Sequence, residues 1–165
     1  MPFQLQALTL LSTLFLSSLA WADNCPADAL RTHPDSRFVA VDNTNGAEVR
    51  DTVTGLVWKR CVFGQQWDGT QCTGEPIARQ FPQALATVAS AKPWRLPTRD
   101  ELMAVIDRTC IVPTFNKTWF PGDPGGVTWS GTEDDSKEGA WVVHLGNGSV
   151  NNLYYKFPLF VRWVR

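Results

Sequence analysis

The sequence predicts an α+β fold in which two helices pack on mostly antiparallel strands and disulfides staple the loops. Three observations predict it. Apolar residues recur at helical spacing in only two stretches, period-two alternation fills the early and late parts of the chain, and the 165 residues hold 4 cysteines, an even number.

Residues 1–22 contain no Asp, Glu, Lys or Arg and are dominated by Leu, Ser, Thr and Ala. They end in Ala20-Trp21-Ala22, the small-x-small pattern of a secretory cleavage site. Their apolar run is shorter than the about 20 residues a membrane span needs. A signal peptide over 1–22 is therefore expected, followed by a single domain over 23–165 with no membrane span after cleavage. The product would be exported, periplasmic or extracellular. The formal net charge of −1, with scattered basic residues, argues against a nucleic-acid partner.

Four cysteines in an exported chain read first as disulfides, and three pairings are open. The stretch between Cys61 and Cys72 carries Gly64 and Asp68-Gly69, with Gly74 just beyond, so it can fold back on itself. Cys61–Cys72 is therefore preferred, and Cys25 is left for Cys110. A zinc site lacks any Cys-x-x-Cys pair and would have only His33 and His144 to add.

Phe38-Val39-Ala40-Val41 is a short strand closed by a turn cluster ending in Asn45-Gly46. Val49 opens a second strand. Residues 51–55 turn the chain into Leu56-Val57-Trp58, with Trp58 facing inward. Over residues 79–91 the period becomes helical, with Phe81, Ala84, Leu85 and Val88 on one face and Pro82 tolerated in the first turn.

Residues 92–107, KPWRLPTRDELMAVID, are the piece around which the rest is arranged. Pro93 and Pro97 hold Trp94 to Leu96 extended. Thr98 with Glu101 forms a capping-box pattern, and Leu102, Val105 and Ile106 give the second helix its apolar face. Residues 111–124 then form a proline-rich loop in which Trp119 and Phe120 read as plugs of the core. Strands are expected at 127–130 and 140–145, and Gly146-Asn147-Gly148 suggests a type I′ hairpin turn. Residues 149–156 and a final strand at 160–165 complete the set.

Trp94-Arg95-Leu96-Pro97-Thr98 with Glu101-Leu102 resembles the WRLPT..EL segment of the Lcl C-terminal domain family, a bacterial domain of unknown function. Asp51 to Trp58, Cys61 with Gly64-Gln65 and Trp67, Thr128 to Thr132 and Phe160 to Arg165 resemble the same family in the same order. More distantly, the segment is similar to formylglycine-generating enzymes and the C-type-lectin-like superfamily. That resemblance implies a C-type-lectin-like fold whose ligands are presented between the late hairpin and the final strand.

Enzyme chemistry finds little support in the residues. Formylglycine-type oxidation, which the resemblance would imply, needs reactive cysteines late in the chain, and none follows Cys110. His144 alternates with Val142 on a strand, and neither histidine sits in a Gly-x-Ser-x-Gly context. The expectation is a non-enzyme. Glu133, Asp134 and Asp135, with Glu138 nearby, are the only dense carboxylates and the only candidates for calcium; otherwise no cofactor is expected. Asn147, Ser149, Asn151, Asn152, Tyr154 and Tyr155 form an uncharged amide, hydroxyl and phenol set suited to a glycan or protein ligand. An exported binding module is the first functional expectation. The second is a structural or assembly subunit of an envelope or appendage complex.

Overall fold

The computed structural model describes residues 32–109 and 114–165. The signal peptide over 1–22 and the partners Cys25 and Cys110 lie outside the described residues. What is described mixes helix and antiparallel sheet, and no described helix is long and apolar enough to cross a membrane.

β1 (Phe38–Ala40), β2 (Glu48–Asp51) and β3 (Val57–Lys59) form one antiparallel sheet. The turn before β2 is the type I′ kind that Asn-Gly favours. Asn45 (φ 50) and Gly46 (φ 76) are both left-handed, and the Ala47 amide donates to the Thr44 carbonyl at 2.9 Å. The turn after β2 is tied by buried Asp51, which accepts from Arg37 Nε (2.7 Å), Thr54 Oγ1 (2.7 Å) and the Val53 amide (3.0 Å). Burial alone would raise this carboxyl, but the bonds from Arg37, Thr54 and Val53 outweigh it and hold the group below the usual carboxylate range. β4 (Gln66–Trp67) and β5 (Cys72–Thr73) make a small hairpin, closed by the Cys61–Cys72 disulfide that the turn-rich loop predicted.

α1 (Phe81–Ala89) buries Phe81, Ala84 and Val88, while Leu85 at the edge of that stripe stays 40 % exposed. α2 (Arg99–Ala104) starts where the sequence places it. Thr98 Oγ1 accepts from the Glu101 amide (3.1 Å), and the Thr98 amide donates to Glu101 Oε2 (2.7 Å). The same carboxylate takes two bonds from Arg95, at 2.7 and 2.6 Å. One side chain thus caps the helix and fixes the arm before it.

β6 (Val127–Glu133), β7 (Gly139–His144) and β8 (Val150–Tyr154) form the second three-stranded sheet, with β7 in the middle. Both faces of β7 are buried. Val143 and the following Leu145 join Trp58, Leu102, Ile106 and Phe120 in one core, and Ala140 and Val142 join Phe81, Ala84 and Trp129 in another. Residues 159–165 stitch the layers together in an extended run. Val57 and Arg165 exchange both backbone bonds (2.9 Å each way), and so do Arg95 and Val164 (3.0 Å each way). Phe160 bonds to Val127 and Trp129 of β6.

The second Asn-Gly pair behaves differently from the first. At Asn147-Gly148 only Gly148 is left-handed (φ 72), and its amide reaches back to the His144 carbonyl at 2.7 Å. Asn147 instead uses its side-chain oxygen to accept from the Ser149 amide at 3.0 Å. The loop is therefore longer than the expected type I′ turn, which needs both central residues left-handed.

Candidate functional site

The polar residues singled out on the late hairpin are surface residues, and the strand pleat divides them. Asn152 pairs with Trp141 across β7 and β8 and shares its face with Tyr154. Asn151 pairs with Val142 and so lies on the opposite face. Asn147 and Ser149 sit at the loop, where Asn147 borders a separate hollow of about 300 Å³ beside Lys117, Asp123 and His144. Tyr155 is committed elsewhere. Its ring stacks on Phe81 at 4.7 Å and 10°, and its hydroxyl donates to Glu133 Oε2 at 2.9 Å. Loss of solvent around the phenol, then the bond and charge of Glu133, push its pKa up to about 12, so it stays neutral.

Asn152 and Tyr154 therefore form the convergent part. They line an open cleft of about 530 Å³ with Ser136, Asp134, Trp141 and Phe157. Tyr154 is 58 % and Phe157 41 % exposed, unusual for rings of this size. Asp134 organises the cleft floor. It accepts from the Ser136 hydroxyl (2.6 Å) and amide (3.0 Å) and from Asn152 Nδ2 (3.5 Å). The Ser136 hydroxyl bond is the main reason its carboxyl stays below the usual range. Glu133 is occupied by Tyr155 and lies 3.8 Å from Lys137, and Asp135 is exposed. Among the described residues no group of three or more His, Cys, Asp or Glu is arranged to hold a metal ion.

The two histidines are both engaged. His33 is buried, its Nε2 donates to the Ala104 carbonyl at 2.6 Å, and burial lowers its pKa. His144 Nδ1 accepts from the Gly146 amide at 3.2 Å. Cys61 and Cys72 are joined, so no described thiol is free.

A second concavity was missed by sequence reasoning. Half-buried Trp67, Trp94, Trp163 and Phe63 line an open groove of about 730 Å³ with Lys59 and Gln66. Lys59 Nζ sits 4.6 Å from the Trp94 ring, and Phe63 and Trp163 are 6.0 Å apart. The signal was available: 8 tryptophans are more than one small core needs, so some had to stay partly outside.

The model of the Lcl C-terminal domain family matches residues 47–165, and the chain belongs to that family. No curated protein and no solved structure matches it.

Proposed function

We propose, taking membership of this family as the premise, that the chain is an exported, non-catalytic binding module built on a C-type-lectin-like fold. Its ligands are extracellular or surface glycans or proteins, held at the late-hairpin face. The observation that carries this is the cleft in which exposed Tyr154 and Phe157 and partly buried Trp141 stand beside Asn152 and the Ser136 hydroxyl. Flat apolar rings beside amide and hydroxyl groups provide area at low entropy cost together with adaptable hydrogen bonds. Export is supported by the charge-free leader over 1–22 and by the Cys61–Cys72 bridge.

A second reading, a structural or assembly subunit, is favoured by one feature. β8 is an edge strand, and Tyr154 at its end and Phe157 just beyond it stand exposed, as a protein contact would use them. Immobilised polysaccharides and an envelope-protein extract, each probed with the mature chain, separate the two. Retention on a polysaccharide supports the binding module, whereas self-association or co-purification with an envelope protein supports the subunit. Within the first reading, Tyr154→Ala and Asn152→Ala abolish retention while the thermal midpoint holds. Asn151→Ala, on the other face, leaves retention intact. Equal effects from all three would sink the assignment to this cleft.

A further inference from the structure

Arg60 follows β3 and is only 8 % exposed. Its guanidinium carbon lies 4.2 Å from the ring centre of Trp67 and 5.0 Å from that of Trp119. Both rings are held in place from behind: Trp67 Nε1 donates to the Asn45 carbonyl (2.8 Å) and Trp119 Nε1 to the Asp35 carbonyl (2.9 Å). This guanidinium lacks an acceptor among the described residues. Among the described residues it has no ion pair and no hydrogen bond, and its Nε is fully buried without a partner. The terminal amino groups are not buried in this way. Burial lowers the pKa of the group, and no carboxylate offsets that. Proteins rarely bury a charge and leave it unanswered, because desolvation is costly and stacking on indoles recovers only part of it.

We propose that Arg60 anchors an anion site, separate from the hairpin face, that takes a carboxylate group of a ligand. The two amino groups along the open edge of a guanidinium match the two oxygens of a carboxylate in one plane. A planar group can lie in that plane beside the indoles, whereas a tetrahedral phosphate must spread across them. Charge matching points the same way. One unpaired cation balances one monoanion, and among the described residues no second ammonium or guanidinium shares these two rings.

The test follows the indole N–H signals of Trp67 and Trp119 by NMR in the mature chain. Sodium acetate is titrated against sodium chloride at equal ionic strength. Acetate should shift both signals saturably and chloride should not, and Arg60→Gln should weaken the acetate response at least about tenfold. Should Arg60→Gln fail to fold, Arg60→Lys, which keeps the charge but not the paired geometry, carries the same comparison. Glucuronate and N-acetylglycine then tell a sugar acid from a peptide terminus as the source. A response to either supports the site and names its source. Unsaturable shifts, an equal response to chloride, an unaltered response in a folded variant, or no response to both glucuronate and N-acetylglycine would overturn it.

Discussion

Arg162 and Arg60 are buried to nearly the same depth, at 0 % and 8 % exposure, and each lies over two aromatic rings. They differ in what answers the charge. Arg162 pairs with Asp123 and donates through Nη1 to the carbonyls of Lys59 (3.3 Å) and Arg60 (3.1 Å), so it holds the final extended run against the end of β3. Both arginines bury an Nε without a partner, but among the described residues Arg60, whose own carbonyl is one of those acceptors, has no acceptor for its terminal amino groups either. A buried guanidinium given acceptors by its own protein is a structural tie, and one left without them is a place where something else can bind.

The comparison breaks most visibly at Asp123. Asp123→Ala strands Arg162 in the core and should cost about 3–5 kcal/mol in urea unfolding, since one partner of a buried pair is left uncompensated. Replacing both partners by apolar residues should recover much of that, and a single mutant within about 1 kcal/mol of wild type would show that the pair is not what secures the final run. Next in size is the Cys61–Cys72 bridge, which closes a separation of 11 residues. Its removal by a double Cys→Ser change should cost about 2–5 kcal/mol. Because Trp67 sits in that loop, the change should also disturb the Arg60 surroundings. Thr98→Ala should cost about 0.5–2 kcal/mol through the lost cap.

Acid titration gives a smaller, sign-determined effect. Asp51 has a folded-state pKa below its unfolded value, so its contribution is present above the unfolded pKa of about 3.9 and is lost as pH falls through the depressed folded value. Asp51→Asn should flatten the acid limb of the stability profile, and an unchanged limb would point to other carboxylates. The smallest effect on stability should be Arg60→Met, within about 0.5 kcal/mol of wild type, because relief of charge desolvation offsets the lost stacking. A large loss there would place Arg60 with Arg162 as a structural residue.

Much of the fold was legible in the sequence because its signals are local. Thr98 and Glu101 announce α2, Asn45-Gly46 announces the first tight turn, and the glycines between Cys61 and Cys72 announce a loop that closes on itself. Asn147-Gly148 shows the limit. The same dipeptide gives a different turn, because the Asn147 side chain bonds its own loop and the strands on either side set the loop length. The candidate sites were less legible because they are defined by which side chains fail to be buried or paired. The pleat separates Asn151 from Asn152, and Phe81 claims Tyr155, neither of which residue types reveal. The sequence shows Arg60 only as half of an adjacent basic pair with Lys59, which reads as a solvated strand end, and its burial was not legible. Its partners are an indole seven positions on and another from the distant 114–124 loop, brought together only by the tertiary fold.

The final extended run also bears on how the molecule assembles. Arg162 bonds to a carbonyl 102 residues earlier, and Arg165 reaches Glu48 across 117 residues. Contacts of such span demand loop closure before they return any energy, so docking of this run should slow folding. Until that run arrives, β3 has an unpaired flank and Trp58 lacks its cover, which makes the nascent state vulnerable to sticking edge to edge and gives a holding chaperone a surface to protect.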